Sequence, residues 1–435
     1  MDIINSFILE VSKTVTIAVY IISMYYLVIS FFGIWRKKDK EALPPKKSFA
    51  LVVAAHNEEV VIGNIVQSLH NLDYPEELYD IYVIADNCTD KTAWKGRENG
   101  AIVLERHNVH KKGKGYALEW MFDKLFKMEK KYDAIAIFDA DNLVHKNFLK
   151  EINNKMCKGY KVVQGYLDSK NPVDTWITGS YSIAFWTSNR MFQLSRSNLG
   201  LSNQLGGTGF CIDIEILKKL GWGATCLTED LEFTCKLVLN GHRVGWAHDA
   251  IIYDEKPLTL KQSWAQRRRW MQGFADVAHR YFLKLLKRAI LKFDLRALDC
   301  ALYTVQPIVI ILFGFSTIFS ALNYLNKFFV LNYLDKAANV VLNFGSYINM
   351  YSMNFKLVAL SGILLTIMQF IYTPFILFLD KKLSPKIFLY YIIYPIYAIT
   401  WLPISIQGIL RKNDKVWSHT PHTRDVHINE LEKAN

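Results

Sequence analysis

Cysteine is sparse and nowhere paired at metal-binding spacing: six residues, at positions 88, 157, 211, 226, 235 and 300, form no CxxC. That excludes zinc-ribbon and thioredoxin-type motifs and points to reduced thiols facing the cytosol. The G-x-x-x-x-G-K-[ST] spacing is also missing, which excludes a P-loop NTPase. Charge is absent from Thr14 to Trp35, and RKKDK follows this run instead of a small-residue cleavage site, which speaks against a signal peptide. Despite a formal charge of +12, no interleaved aromatic-basic groove is visible, so nucleic acid is not an expected partner.

What is present is apolar. The 435 residues are 51% hydrophobic and 14% aromatic, too apolar for a disordered chain and ample for a large core. Basic residues gather beside apolar segments, at Arg36, Lys37, Lys38 and Lys40, at Arg267 to Arg269, at Lys287 and Arg288, and at Lys381 and Lys382. That placement suits an anionic membrane surface, so membrane lipids are an expected partner. Thr14 to Trp35 is long enough to span a hydrocarbon core of ~30 Å. Further spans are predicted over Ala301 to Leu322, Leu357 to Leu379 and Ile387 to Leu410. The positive-inside rule puts the chain from the 36–40 cluster to about residue 300 in the cytoplasm and the N-terminus outside. Three later spans would leave the C-terminus outside, yet Arg411, Lys412 and Lys415 argue for inside. Either 328–353 hides a fourth span or one segment is re-entrant, and Pro395 and Pro403 mark the last span for bending.

Between 48 and 250, short apolar runs alternate with helical patterns. SFALVVAA (48–55), DIYVIA (80–85), AIVL (101–104), AIAIF (134–138) and KVVQGY (161–166) read as buried parallel strands. Helical stretches such as VIGNIVQSLHNL and YALEWMFDKLFKM separate them, predicting an α/β sheet with helices on both faces. Ligands of such sheets bind outside the carboxyl ends of the strands. The first strand runs into His56-Asn57-Glu58-Glu59, the second into Asp86-Asn87-Cys88-Thr89-Asp90, and the fourth into Asp139-Ala140-Asp141. One acidic strand end is ordinarily a cap or turn; three together indicate a site. Closely spaced carboxylates suit a hard divalent cation, Mg²⁺ or Mn²⁺, shared with phosphate oxygens.

HKKGKGYALEW places Lys111, Lys112 and Lys114 beside glycines just before a helix, a place to hold phosphate as well as a pattern for a solvated loop. Thr228 precedes Glu229 and Asp230 at a helix start, which suits either a capped first turn or a general base. SWAQRRRWMQGFADVAHRYFLKLLKRAI then repeats apolar residues at three and four, predicting an amphipathic helix in the membrane interface with Arg and Lys on its other face.

DNCTD, DAD, TED and QxxRW (Gln266, Arg269, Trp270), in that order, resemble the D,D,D,Q(Q/R)xRW signature of processive family-2 glycosyltransferases. Cellulose, hyaluronan, chitin and poly-N-acetylglucosamine synthases are of this kind. The resemblance covers about 48 to 275, and VVAAHNEE is similar to the family's nucleotide-entry loop, with Asn57 and Glu58 at the substrate. It implies an α/β GT-A-type glycosyltransferase domain plus α-helical transmembrane segments, taking a UDP-sugar, inverting the anomeric centre and extending a β-linked polysaccharide or oligosaccharide acceptor. Asp86 would contact uridine and Lys114 the pyrophosphate. Asp139 and Asp141 would hold the metal and diphosphate. Asp230 would be the general base with Glu229 beside it, and Gln266, Arg269 and Trp270 would line the acceptor end and the leaving diphosphate. Trp264 and Trp270 offer flat faces for sugar stacking. VWSHTPHTR is partly similar to a Trp-Gly-Thr-Arg loop of hyaluronan synthases that closes over the nucleotide, through Trp417, Thr420 and Arg424.

Departures from the family matter as well. TED in place of Gly-Asp-Asp leans toward cellulose and poly-N-acetylglucosamine synthases. QLGGTGFCID (204–213) stands where acceptor-site residues are expected. No PilZ-like domain follows the spans, so cyclic-di-GMP control in cis is not expected, and a single N-terminal span leaves room for a small accessory membrane subunit. The organisation expected is an N-terminal span and basic linker (1–40), a cytoplasmic catalytic domain (41–255), interface helices carrying QxxRW (256–298), a C-terminal membrane region (299–410) and a tail with a gating loop (411–435). The protein would sit in the cell membrane as a multi-pass enzyme. Two other readings compete: transfer of one sugar to a lipid acceptor, and a non-catalytic nucleotide-binding channel subunit.

Overall fold

The computed structural model describes residues 2–37, 43–223, 226–317, 370–414, 422 and 424–434. Trp417 and Thr420, and the 328–353 stretch, lie outside these described residues.

Eight strands form one sheet: β1 Phe49–Ala55, β2 Tyr79–Asp86, β3 Ile102–Arg106, β4 Ala134–Asp139, β5 Leu143–Val144, β6 Val162–Ser169, β7 Phe210–Asp213 and β8 Val244–Asp254. Their order is β3-β2-β1-β4-β7-β6-β8-β5. The helices before the C-terminal region are α1 Asp2–Phe31, α2 Ile62–His70, α3 Thr92–Glu98, α4 Lys114–Lys127, α5 Phe148–Cys157, α6 Trp176–Thr187, α7 Ser195–Leu199, α8 Ile214–Leu220, α9 Glu229–Leu239, α10 Leu260–Lys292 and α11 Leu295–Thr304.

All five expected strands form, within three residues at each end. The expectation of a parallel sheet holds for β3-β2-β1-β4 and for β6 with β8, and fails at β7, which runs antiparallel to both β4 and β6. Both neighbours of β7 therefore point the same way, and the sheet is mixed. The reversal uses Gly209, at φ +62°, where a Cβ would meet Ile252 at 2.8 Å. Only glycine suits such a left-handed, crowded position.

Period-two alternation sorts β1 between two layers. Phe49, Leu51 and Val53 enter the core with Ile62, Ile65 and Leu69 of α2 and Leu149 and Ile152 of α5. Ala50 and Val52 enter the opposite core with Leu118, Met121 and Phe122 of α4 and Phe233 and Leu237 of α9. Because both faces of the strand are covered, its sequence reads as a continuous apolar run.

The membrane expectations are met in part. The helix Pro385–Leu410 is long and apolar enough to cross a bilayer, and Leu295–Thr304 with Gln306–Thr317 passes the same test only as a pair bent by 62°. The helix α1 ends at Phe31, and its apolar part, Ile17–Phe31, is shorter than the ~20 residues a span needs. Of the run expected over Leu357 to Leu379, Phe370–Leu379 is a described helix.

The apolar face of α10 is covered by protein in part: Val277 and Leu285 are fully buried among Leu231, Cys235 and Val238 of α9 and Ala297, Cys300 and Ala301 of α11, while Leu283, Ile290 and Leu291 stay exposed. Arg267, expected on the polar face, is 0% exposed. Its guanidinium donates to the Thr400 hydroxyl at 2.8 Å and stacks on Tyr397 and Trp401. A buried cation can hold that place because two aromatic faces and a hydroxyl replace its water.

Candidate active site

Register brings the three acidic strand ends together. In the parallel set β2-β1-β4, Ala55 lies opposite Ala85 and Ala54 opposite Asp139, so the residues that follow share one crevice. Asn57 and Asn87 both adopt left-handed backbone, φ +55° and +52°, which lets each chain turn sharply off its strand. The Thr89 amide donates to Asn57 Oδ1 at 2.8 Å, tying the two turns to each other.

Asp86 is buried and ion-paired with Arg106 on the neighbouring strand. Burial raises its pKa in spite of that guanidinium. Gly113, at φ +109°, sits at the N-cap of α4, and Lys114 opens the helix. The Lys114 ammonium pairs with Asp139 and donates to the Gly207 carbonyl at 2.7 Å. Gly207 in turn touches Asp230: a Cβ there would lie 3.5 Å from the Asp230 carboxylate. Lys114, Asp139, Gly207 and Asp230 therefore border one space, and QLGGTGFCID forms its floor. Buried Gln164 fixes that floor by donating to the Thr208 carbonyl at 2.9 Å and accepting from the Gly206 amide at 2.8 Å.

Glu229 and Asp230 occupy the first turn of α9. The capping explanation for them weakens here, since the Thr228 side chain makes no cap hydrogen bond. Burial raises the pKa of both, and that of Glu229 is pushed up to about 7, with the Asp230 charge adding to it. Two carboxylates so close share their protons, one holding a proton that the other has lost.

Gln266, Arg269 and Trp270 line up on one stretch of α10. Tyr181 donates its hydroxyl to Gln266 Oε1 at 2.7 Å, and the Trp270 ring packs against Tyr181 and Phe185, with centroids 6.0 and 6.2 Å apart. Arg269 lies close enough to lower the Glu229 pKa. Trp264 is held apart from this group by a 2.9 Å hydrogen bond to Gln407 in the membrane-length helix.

Asp141 accepts from the Glu255 amide at 3.0 Å. Burial by itself would raise its pKa, but the charges of His422 and Lys170 outweigh this and the net shift is downward. His422 stands between two of the strand-end clusters, its Nδ1 2.9 Å from Glu58 and its Nε2 3.9 Å from Asp141. Burial would lower its pKa, yet Asp141, Glu58 and Glu255 together push it up to about 10, so it is a cation at neutral pH. Arg424, expected over the nucleotide, has its side chain in an ion pair with Asp174.

Sequence reading missed His422 and Lys170. Lys170 is 3% exposed, its ammonium has no hydrogen-bond partner, and it lies near Asp141, Asp254 and Glu255. The YLDSKNP run could have suggested Lys170, as a cation ending an apolar strand. His422 lies inside the VWSHTPHTR run singled out for Trp417, Thr420 and Arg424, and folding brings it from the far end of the chain.

For a metal, Asp139 and Asp141 supply two carboxylates at one strand end. Among the described residues no group of three or more His, Cys, Asp or Glu side chains is placed to hold an ion alone. That set fits Mg²⁺ or Mn²⁺, which ordinarily takes one or two carboxylates and completes its shell with phosphate oxygens and water.

The fold is of the glycosyltransferase α/β type, and sequence comparison gives the family. A model described as "Glycosyltransferase like family 2" matches residues 44–273, just over half of the chain. The chain belongs to that family. It is 31% identical over 273 residues to a probable glycosyltransferase, YdaM, of Bacillus subtilis, covering 60% of this chain and 63% of that one. It is 28% identical over 243 residues to a beta-monoglucosyldiacylglycerol synthase of Synechocystis, covering 53% and 48%. It is 24% identical over 280 residues to a poly-beta-1,6-N-acetyl-D-glucosamine synthase of Staphylococcus aureus, covering 61% and 66%. The chain thus spans about half to two thirds of the length of the curated relatives it matches. A mannosyltransferase of Pyrobaculum calidifontis, solved with GDP-Man and Mn²⁺, shares the fold at a TM-score of 0.58 and 15% identity, over 93% of this chain and 100% of that one.

Proposed function

We propose that the protein is a membrane-bound, inverting glycosyltransferase that moves a sugar from a UDP-sugar, UDP-N-acetylglucosamine or UDP-glucose, onto a growing β-linked polysaccharide. The observation carrying this reading is the juxtaposition of Lys114 and Asp139 with Asp230 across Gly207: a cation suited to a diphosphate and a half-buried carboxylate face one space.

In this reading the acceptor hydroxyl attacks C1 of the donor sugar from the face opposite UDP. Its proton passes to Asp230, whose raised pKa makes it a better base than a solvated aspartate. The C1–O bond breaks and UDP leaves with the electron pair, stabilised by Lys114 and Arg269. Glu229 keeps a proton at the pH where Asp230 has lost its own, and so spares the site a second negative charge. Asp86, Asn57 and Glu58 border the nucleoside end. Mg²⁺ or Mn²⁺, held by Asp139 and Asp141, supplies charge neutralisation of the diphosphate when bound. Gln266 and Trp270 line the acceptor end.

A lipid acceptor is the second reading. It is favoured by the similarity to a beta-monoglucosyldiacylglycerol synthase and by the position of QxxRW beside the membrane-length helix. The test offers membranes holding the protein UDP-glucose, UDP-N-acetylglucosamine or UDP-glucuronate, with Mg²⁺ or Mn²⁺, and follows UDP release and product size. A large product digested by the matching glycosidase supports the polymer reading. A single-sugar glycolipid replaces it with the second, and release with none of the donors under either metal sinks both.

A further inference from the structure

A cavity lies at the end of the sheet opposite the crevice. It measures about 210 Å³ and is lined by Lys158, Tyr160, Lys161, His242, Arg243 and Arg296. These residues come from the turn entering β6, the turn entering β8, and the first turn of α11. Strands β6 and β8 are parallel to each other, and β6 is parallel to β4 because both are antiparallel to β7. The amino ends of β6 and β8 therefore lie away from the carboxyl ends of β1, β2 and β4, and a donor seated at the crevice does not reach this cavity.

The cavity is strongly cationic. Lys161 is paired with Asp213 at 2.7 Å. Arg243 and Arg296 meet no carboxylate among the described residues; each donates to the same carbonyl, Gly200, at 3.4 and 3.2 Å. A guanidinium carries five N–H donors, so both keep several to spare for an anion. At this volume the cavity falls below the ~300–1,000 Å³ of pockets for whole small ligands, and suits a headgroup.

Its flank is apolar and exposed. Leu283, Ile290, Leu291 and Leu295 are 73%, 64%, 68% and 68% exposed, and Phe293 is 93% exposed in left-handed backbone at φ +48°. A fully exposed phenylalanine at a strained corner, beside four exposed aliphatic residues, needs a covering that water does not supply. Lys287, Lys292 and Arg296 are interspersed among them in sequence. Apolar side chains rimmed by cations match the boundary between acyl chains and anionic headgroups. This is also the end of α10 remote from Gln266 and Trp270, so one ~50 Å helix would lie along the membrane from the active site to the cavity.

We propose that this cavity binds the phosphate of an anionic phospholipid headgroup and so seats the α10–α11 corner in the membrane interface. The proposal rests on the reading of the chain as membrane-bound, but not on its transferase chemistry. The full chain, in detergent, is given equimolar phosphatidylglycerol and phosphatidylcholine, and retained lipid is counted by native mass spectrometry without any sugar donor. Wild type is expected to retain phosphatidylglycerol selectively, and Arg243→Gln with Arg296→Gln to lose it by on the order of tenfold. Arg243→Lys with Arg296→Lys should restore most of the retention, which a merely misfolded corner would not. Lys124→Gln with Lys127→Gln, the same charge change on exposed α4, should leave it untouched. Equal retention by the Gln double variant and wild type overturns the proposal, as does a wild type that holds both lipids alike. Displacement of phosphatidylglycerol by millimolar inorganic phosphate alone would make this a free-phosphate site and overturn the lipid assignment. Lost donor turnover with intact lipid retention would strike the proposed function and leave this site standing.

Discussion

Two aspartates of the same crevice show opposite behaviour. Asp141, on the proposed donor side, has a lowered pKa, because His422 and Lys170 outweigh its burial. Asp230, on the proposed acceptor side, has a raised one, because its burial outweighs Lys114 and the backbone amide it accepts from. The two sides also differ in their ion pairs. Asp86, Asp139 and Glu58 each have a cationic partner, Arg106, Lys114 and His422 respectively, although burial still raises the pKa of Asp86, whereas Glu229 and Asp230 meet no cation at ion-pair distance among the described residues. A carboxylate that stays ionised, as Asp141 does, can hold a metal. One that is desolvated is poised to accept a proton. Environment, not residue type, divides the two roles.

The harshest way to break the comparison is Asp230→Asn. Turnover should fall by roughly 10²–10⁴, the usual contribution of a general base, while UDP binding measured by calorimetry stays at the wild-type level. Near-normal turnover would remove Asp230 from the acceptor side. Asp141→Ala should do the reverse, weakening Mg²⁺-dependent UDP binding by roughly tenfold to a hundredfold. Equal binding with and without Mg²⁺, in both wild type and variant, would leave the donor side without its metal.

A milder perturbation tests packing under the acceptor turn. A Cβ on Gly273 would meet the Thr228 side chain at 2.4 Å, next to Glu229. Gly273→Ala should cost about 1–3 kcal/mol, read as a lowered Tm, with a larger drop in kcat than in UDP affinity.

The smallest effect is in pH. With Glu229 pushed up to about 7, kcat/KM should decline as pH rises through that region, because Glu229 then loses its proton and the site takes a second negative charge. Glu229→Gln cannot ionise and should remove this limb. A limb that stays in place would assign it to another group. The same glutamate makes stability decline as pH rises from its ordinary 4.5 toward about 7, since the folded state holds a proton that the unfolded chain releases. In the Gln variant that stretch of the stability profile should flatten.

Much of the fold was legible along the chain. The continuous apolar runs of β1, β2 and β4 mark strands buried on both faces, and the polar residues that end them mark the crevice. Less legible were β7 and β8. FCID is too short to show a period, and its reversal depends on Gly209 fitting against Ile252. The helix α10 was legible as amphipathic, but a pattern cannot say which part of its apolar face α9, α11 and the membrane-length helix cover. Arg267 reads as a surface cation until Tyr397, Trp401 and Thr400 are placed around it.

By itself, then, the sequence determined the α/β layering, the strand-end clusters and the family, because period, apolar length and short motifs are properties of neighbouring residues. Tertiary structure decided which charges meet. His422 reaches Glu58 across 364 positions, and Lys114 reaches Asp139 and Gly207 from a different element than either. Electrostatic interaction depends on distance and on the water removed between groups, and neither is written into the order of residues along a chain.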